Sequence, residues 1–150
     1  MIVDYGDVKV YSGSHIKEIC QYLLDKKMYV EGWSLKPYLV QVIKFEKRFI
    51  TKVAIKYKDG NPVGLATRGL LSGYKNFMMC YVKDEFRNSG VGSELVNRLK
   101  VDGESHWAYT GYSYSVLFWE SLGVVPHTQH RSCCGDKFTS IFLKINNKKR

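Results

Sequence analysis

The loop Arg87–Gly92 places the pattern Arg-x-x-Gly-x-Gly between a strand and a helix, and this arrangement limits the folds open to the chain more than any other feature. The strand predicted before it, Phe77–Val82, is apolar on both faces, which is typical of a central strand. The helix predicted after it, Gly92–Lys100, has apolar residues at helical spacing. Gly90 and Gly92 leave space for backbone N–H groups to approach phosphate oxygens, and a helix N-terminus attracts anions. With the arginine as a nearby cation, the loop is predicted to bind a pyrophosphate.

A Gly-x-Gly pattern alone is a weak signal, because a plain tight turn explains many examples. This loop is not a dinucleotide-binding fingerprint, since the third glycine is missing at the required spacing. It is not a P-loop either, because no Gly-Lys-Ser/Thr follows. The strand before the loop, the helix after it and the arginine together favour phosphate binding over the plain turn.

The rest of the chain predicts a single domain over residues 1–150, because no repeat, low-complexity block or linker interrupts it. Ser14 suits the N-cap of a first helix, and Pro37 suits the first turn of a second one. Strands are predicted near 8–11, 52–58 (half-exposed), 63–70, 77–82, 106–109, 124–131 and 138–145, and helices near 14–27, 35–45, 92–100 and 115–122. The order βααβββαβαββ predicts a mixed sheet with helices on both faces.

The formal net charge is +9, which favours a polyanionic partner such as nucleic acid, an acidic protein surface or a phosphorylated cofactor. A solvated basic face with a basic C-terminal tail is the alternative. The four cysteines show no pattern of a secreted disulfide framework, and the first residues do not resemble a signal peptide. No apolar run approaches the roughly 18–20 residues of a membrane helix. We therefore expect a reduced, cytoplasmic protein without membrane association.

Two segments resemble the motifs of the GNAT (N-acetyltransferase) superfamily. Val82–Leu95 is similar to the acetyl-CoA motif, whose core is Gln/Arg-x-x-Gly-x-Gly/Ala, and Phe118–Val124 is similar to the Phe-Tyr-x-x-x-Gly-Phe block. The element order also resembles the GNAT topology over nearly the whole chain. The resemblance implies an α/β (α+β) GNAT fold, with a mixed central sheet of about six to seven strands and helices on both faces. It also implies a V-shaped splay between the fourth strand, Phe77–Val82, and the fifth, His106–Tyr109.

The same resemblance implies where acetyl-CoA, the expected co-substrate, binds. The backbone N–H near Cys80 would face the thioester carbonyl, and Val82 with its neighbour Tyr81 would hold the pantetheine arm. A backbone donor aimed at the developing oxyanion is a sound device in acyl transfer. The residues implied to hold the pyrophosphate are Arg87, Asn88, Ser89, Gly90, Val91, Gly92 and Ser93.

Two catalytic groups that are usual in the family are replaced in this sequence. The glutamate that many members carry on the strand before the loop corresponds to about Asn76, which cannot act as a base. The tyrosine that protonates the leaving thiolate corresponds to Trp119. Tyr112 or Tyr114 is a candidate substitute for that acid, and Glu31, between the first two helices, is a candidate for serving the acceptor amine. Packing roles for the tyrosines and a solvated Glu31 are the alternatives.

The segment Pro126–Cys134 contains His127, His130, Cys133 and Cys134, which are residue types that bind zinc. If the histidines lie on one strand, however, they point to opposite faces, and adjacent cysteines rarely converge on one ion. We therefore expect no metal site. Lining the far end of the acceptor cleft, or covering the hairpin, is the favoured role for this cluster.

The sequence leads to two main hypotheses of different classes. The first is an N-acetyltransferase that moves acetyl from acetyl-CoA to a primary amine by direct attack, the acceptor being a protein lysine, a protein N-terminus or a small-molecule amine. The second is a GNAT-like binding or structural protein without catalysis. Some virus-encoded proteins resemble this sequence around the second motif, which implies a phage-encoded, virion-associated component. A nucleic-acid-binding module lacks a recognisable motif. Retention of the arginine and both glycines favours the enzyme.

Overall fold

A computed structural model of the chain describes residues 1–31, 35–71, 73–110, 118, 119, 121, 122, 124–131 and 139–145, with the backbone alone for 109, 110, 124–131 and 139–145. The strands are β1 (Ile2–Asp4), β2 (Val8–Ser12), β3 (Lys52–Lys58), β4 (Asn61–Leu71), β5 (Tyr74–Val82), β6 (His106–Thr110), β7 (Val124–Arg131) and β8 (Thr139–Ile145). The longer helices are α1 (Ile16–Asp25), α2 (Leu35–Phe45) and α3 (Val91–Leu99), and two 3₁₀ turns cover Gly13–His15 and Asp84–Phe86.

The eight strands form one mixed sheet in the order β1-β2-β3-β4-β5-β6-β8-β7. β5 and β6 pair in parallel, whereas the other neighbouring pairs of these strands are antiparallel. α3 lies in the connection from β5 to β6, because parallel neighbours need a crossover. The predicted mixed sheet is confirmed, and β1 is the strand beyond the six to seven that were expected.

β5 and β6 separate towards the carboxyl end of β5. Their parallel pairing is limited to Phe77 with Trp107 and Met78 with Ala108. Beyond these pairs β5 continues to Val82 beside β4, and β6 continues beside β8. The V-shaped splay expected between these two strands is therefore confirmed.

α1 and α2 cover one face of the sheet. Leu23 of α1 and Leu39 of α2 are fully buried there, against Ile55 and Phe77 of the sheet. Burial of a leucine, isoleucine or phenylalanine side chain contributes roughly 1.5–3 kcal/mol, so this core fixes the two helices on the sheet.

α3 covers the opposite face, so the prediction of helices on both faces is confirmed. Its Leu95 and Val96 pack on small residues of the sheet, including Ala54 and Ala66. A β-carbon on Gly64 of β4 would lie 2.8 Å from a methyl group of Val91, so the helix approaches the sheet closely at this glycine. This close approach fixes the N-terminal turn of α3 above β4.

The structure corrects the predicted start of the first helix. Ser14 is not its N-cap but lies in the 3₁₀ turn Gly13–His15, and His15 stands at the N-cap of α1 without a capping side-chain hydrogen bond. The turn forms because Gly13 adopts φ 65°, which a glycine reaches without steric cost.

The strand predicted as half-exposed is covered on both faces at its centre. Val53 and Ile55 face α1 and α2, while Ala54 packs beneath α3. Of the helix predicted over 115–122, Phe118, Trp119, Ser121 and Leu122 are described; the first three are helical, and Leu122 lies in a turn.

Candidate functional site

The loop between β5 and α3 is shaped by two left-handed residues. After the turn Asp84–Phe86 the chain extends at Arg87, and Asn88 then adopts φ 60°. Gly90 adopts φ 85° and is the N-cap of α3, with its carbonyl accepting from the Glu94 N–H at 3.0 Å. Asparagine and glycine are the residues that tolerate this region best. The loop therefore delivers the chain directly into the first turn of α3, whose N–H groups lack partners within the helix.

The two glycines of the loop serve different purposes. A β-carbon on Gly90 would have no atom within 4 Å, so only its positive φ calls for glycine. A β-carbon on Gly92 would lie 2.8 Å from Cε1 and 3.0 Å from Cζ of Phe118. Gly92 is thus required by packing against the second motif, in addition to the phosphate approach inferred from sequence.

Arg87 is held by the loop rather than free in solvent. Its Nε donates to the carbonyl of Val82 at 2.9 Å, and its Nη1 lies 2.8 Å from a carboxylate oxygen of Asp84. These contacts fix the guanidinium beside the end of β5. Part of its charge is compensated by Asp84.

A cavity of about 550 Å³ opens beside this loop. Nine of the ten residues predicted to bind acetyl-CoA line it, together with Phe86, Phe118, Trp119 and Ser121; the nine are Cys80, Tyr81, Val82, Arg87, Asn88, Gly90, Val91, Gly92 and Ser93. Ser89 is not part of the lining, and its hydroxyl donates to the carbonyl of Phe86.

The cavity joins the helix N-terminus to the open side of the splay, because Cys80, Tyr81 and Val82 lie on the part of β5 that has left β6. Cys80 keeps partial exposure as a residue, but its sulfur lies 3.5 Å from where a β-carbon on Gly92 would be. Burial raises the pKa of the Cys80 thiol to about 12. The thiol is therefore neutral at physiological pH, and its nucleophilic form is scarce.

The three candidate catalytic residues fall into two groups. Tyr112 and Tyr114 lie outside the described residues. Glu31 is described, with a side chain that is 72% exposed, and its carboxylate accepts from Lys36 Nζ at 2.8 and 3.3 Å. The hydrogen bond to Glu31 raises the pKa of Lys36. Glu31 does not line the cavity, and it can bind an ammonium group only in competition with Lys36.

Asn76 lies at the closed end of the splay and has a structural role. It forms a bulge in β5, since Gly69 pairs with Phe77 while Leu70 pairs with Lys75, and it adopts φ 59°. Its amide donates to a carboxylate oxygen of Glu104 at 2.9 Å and to the carbonyl of Ser105 at 3.0 Å, and it accepts from Arg68 Nη1 at 3.3 Å.

Trp119 is almost fully buried and forms part of the cavity lining. It packs edge-on against Phe118, with ring centroids 5.0 Å apart. Both residues belong to the segment that resembles the second motif, but neither was predicted to bind the cofactor. The contact between Phe118 and Gly92 had one signal in the sequence. Phe118 and Trp119 follow the fifth predicted strand, and Gly92 follows the fourth, which was expected to be its neighbour in the sheet.

Among the described side chains no group of three or more histidine, cysteine or acidic residues is arranged to hold a metal ion. The expected strand for His127 and His130 is present as β7, with a bulge between Pro126 and Thr128. The side chains of both histidines, and all of Cys133 and Cys134, lie outside the described part. The prediction of no metal at this cluster therefore stays a prediction.

No family model matches this sequence, and no curated protein matches it either. Solved structures do resemble it. The ribosomal-protein-S18-alanine N-acetyltransferase of Escherichia coli superposes with a TM-score of 0.61 at 15% identity, covering 95% of this chain and 96% of that one. An acetyltransferase of the GNAT family from Streptococcus pneumoniae gives 0.57 at 8% identity, over 91% and 97%. The chain has the GNAT fold.

A third similar structure contains a ligand. It is yncA from Salmonella typhimurium, solved with its cofactor acetyl-CoA, and it gives a TM-score of 0.58 at 15% identity over 97% of this chain and 96% of that one. The resemblance in fold therefore extends over nearly the whole chain, including the elements that surround the cavity.

None of the described helices of the present chain is long and apolar enough to cross a bilayer.

Proposed function

We propose that this protein binds acetyl-CoA in the cavity beside α3 and transfers the acetyl group to a primary amine by direct attack. The observation that carries this proposal is the continuity of the cavity, which runs from the loop Arg87–Gly92 to the open part of β5 at Cys80–Val82. One end offers unpaired backbone N–H groups and the positive end of a helix, which suit a pyrophosphate. The other end offers backbone groups of a strand that has lost its neighbour, which suit the amides of pantetheine.

The residues present fit a phosphorylated ligand. The positive φ of Gly90 turns the loop without placing a side chain in the way, and Arg87 is a fixed cation at the same rim. A backbone N–H near Cys80 is the candidate donor to the thioester carbonyl, where negative charge develops during attack. Stabilising that charge with an oriented donor accelerates acyl transfer without any ionisable side chain.

The acceptor amine must lose a proton before it attacks. An amine with a pKa of about 10.4 is only ~0.1% neutral near pH 7.4, which corresponds to a cost of about 4 kcal/mol. Tyr112 or Tyr114 as the acid for the leaving thiolate, and Glu31 as a group that serves the amine, remain parts of the proposal. The exposure of Glu31 and its pairing with Lys36 favour a role in binding an ammonium group over a role as a base.

The alternative is a GNAT-like protein that binds a ligand or partner without transferring acetyl. It is favoured by Asn76, whose side chain is committed to Glu104 and Ser105, and by Trp119 in place of the usual tyrosine. The net charge of +9 would then serve an acidic protein or nucleic acid. Binding of acetyl-CoA and transfer of acetyl must therefore be measured separately.

Ser93 offers a clean test of binding, because it lines the cavity in the first turn of α3 and is only partly exposed. Ser93→Glu places a negative charge at the helix N-terminus, where it favours the helix but repels phosphate. Ser93→Gln introduces a side chain of the same size as glutamate but without the negative charge. Calorimetric titration with acetyl-CoA should give micromolar affinity for the parent protein, a modest change for Ser93→Gln and a loss of roughly tenfold or more for Ser93→Glu. Equal losses in both variants would contradict a phosphate at this position.

Acetyl transfer is tested with a panel of amines that contains peptide lysines, peptide N-termini and polyamines, with release of free thiol as the readout. Transfer that is lost in Ser93→Glu and kept in Ser93→Gln supports the enzyme. Micromolar binding of acetyl-CoA without thiol release on any amine supports the non-catalytic alternative. No binding at millimolar acetyl-CoA would overturn the proposal and leave the fold alone.

A further inference from the structure

Lys58, the last residue of β3, stands beside the rim of the cavity. Its Nζ lies 5.3 Å from the centroid of the Phe86 ring, and Phe86 lines the cavity. The residue is exposed, so its side chain can rotate to bring the ammonium group towards a ligand while a cation–π contact with Phe86 is kept. Resting on the proposed function, we infer that Lys58 binds the 3′-phosphate of coenzyme A.

The charge of the loop requires a further cation for a ligand with several phosphates. The stretch 83–88 contains Lys83 and Arg87 but also Asp84 and Glu85, so its formal charges cancel. Arg87 is in addition paired with Asp84 at 2.8 Å. The helix N-terminus can account for a pyrophosphate, but it leaves the 3′-phosphate without a cation. A lysine from outside the loop fills that role.

Lys58 and Lys56, the nearest lysine on the same strand, differ in whether a carboxylate neutralises their charge. Lys56 is committed to two carboxylates, with Nζ 2.6 Å from Glu94 and 3.4 Å from Asp7. Within the described part of the chain no carboxylate forms an ion pair with Lys58. Its contact is the neutral ring of Phe86, which holds a cation without neutralising it. Lys58 is thus a cation whose charge is available to a ligand.

The test compares coenzyme A with 3′-dephospho-coenzyme A, which differ only by the phosphate in question. Calorimetric titrations are made on the parent protein, on Lys58→Gln and on Lys9→Gln. Lys9 is a matched control, because its Nζ lies over the ring of Tyr57 at 5.8 Å and it does not line the cavity. An exposed charge pair contributes up to about 1 kcal/mol, so the parent should prefer coenzyme A by about fivefold at low salt.

Lys58→Gln should reduce this preference to about one by weakening coenzyme A alone, whereas Lys9→Gln should keep it. The parent's preference should also decline as salt is added, because the pair is exposed. Equal affinities for the two ligands in the parent, or an unchanged preference in Lys58→Gln, would overturn the assignment of Lys58 and leave the proposed function standing. Failure of the parent to bind either ligand would overturn both.

Discussion

A β-carbon on Gly92 would stand 2.8 Å from Cε1 of Phe118, which is closer than real side-chain carbons approach each other. Gly92 lies in the first turn of α3, and Phe118 is helical in the segment that follows β6. The contact therefore joins the loop at one wall of the cavity to the aromatic residues at another. The two walls can lie this close together only because Gly92 has no side chain.

Gly92→Ala should lower the free energy of unfolding by about 1–2 kcal/mol, because overpacking costs about 1–3 kcal/mol and alanine regains up to ~1 kcal/mol of helix propensity. Phe118→Leu shortens the ring side chain that the new methyl group would meet. The double variant should therefore be more stable than the sum of the two single effects predicts. Urea denaturation of the parent, both single variants and the double variant measures this coupling. Effects that add to within about 0.3 kcal/mol would contradict the contact.

His106 is fully buried at the start of β6 and is held in one tautomer. Its Nε2 accepts from the Val101 N–H at 2.9 Å, so the ring hydrogen is on Nδ1, which donates to the carbonyl of Glu104 at 3.1 Å. Burial is the main cause that lowers the pKa of His106. Protonation at Nε2 would also remove the acceptor of the Val101 N–H.

The pH dependence of stability follows from this arrangement. Below the unfolded histidine pKa of about 6.5, the unfolded chain binds a proton that folded His106 still rejects. The contribution of His106 is therefore fully present above about pH 6.5 and is lost as the pH falls below it. Urea denaturation between about pH 8 and 5 should show this decline in the parent and in His15→Gln, and a flatter profile in His106→Gln. An identical decline in all three proteins would contradict the assignment to His106.

The loop of this fold could be predicted from sequence because its residues have strong local preferences. An apolar strand, a glycine with positive φ and an amphipathic helix follow one another, and each is specified by adjacent residues. The strand-helix order then restricts the topology to a mixed sheet. For this reason the predicted strand Phe77–Val82 and the predicted helix Gly92–Lys100 lie close to β5 (Tyr74–Val82) and α3 (Val91–Leu99) of the structure.

Contacts between distant segments could not be predicted in the same way. The approach of Phe118 to Gly92 and of Lys58 to Phe86 joins residues that are 26 and 28 positions apart, and no periodicity encodes such a distance. The hydrogen bonds of Asn76 to Glu104 and Ser105 could not be predicted either, because these partners lie beyond α3 in the sequence. The residues of the loop therefore indicate where the cavity lies, whereas the distant side chains that complete it become visible only in the structure.

Glu31 should act on the acceptor amine through binding if the proposed function holds. Its exposed carboxylate is already paired with Lys36, so Glu31→Gln should raise the KM for the amine by up to about fivefold and leave kcat unchanged. Lys36→Gln should lower that KM, since the competing ammonium group is removed. Glu46→Gln is a matched control, because Glu46 forms an exposed pair with Lys17 at 3.8 Å and has no assigned role. A fall in kcat of tenfold or more at unchanged KM would instead identify Glu31 as a base.

Asn76 should respond to substitution as a structural residue and not as a vacant catalytic position. Asn76→Ala loses the hydrogen bonds to Glu104 and Ser105. It also places alanine at φ 59°, a backbone conformation that residues with a β-carbon rarely adopt. We therefore expect a loss of about 2–3 kcal/mol in the free energy of unfolding. Asn76→Gly tolerates the positive φ and should lose less. Asn76→Glu would bring a second carboxylate beside Glu104 and should destabilise the protein without increasing acetyl transfer. Urea denaturation ranks the three variants, and a rise in thiol release by Asn76→Glu would show that this position does face the acceptor.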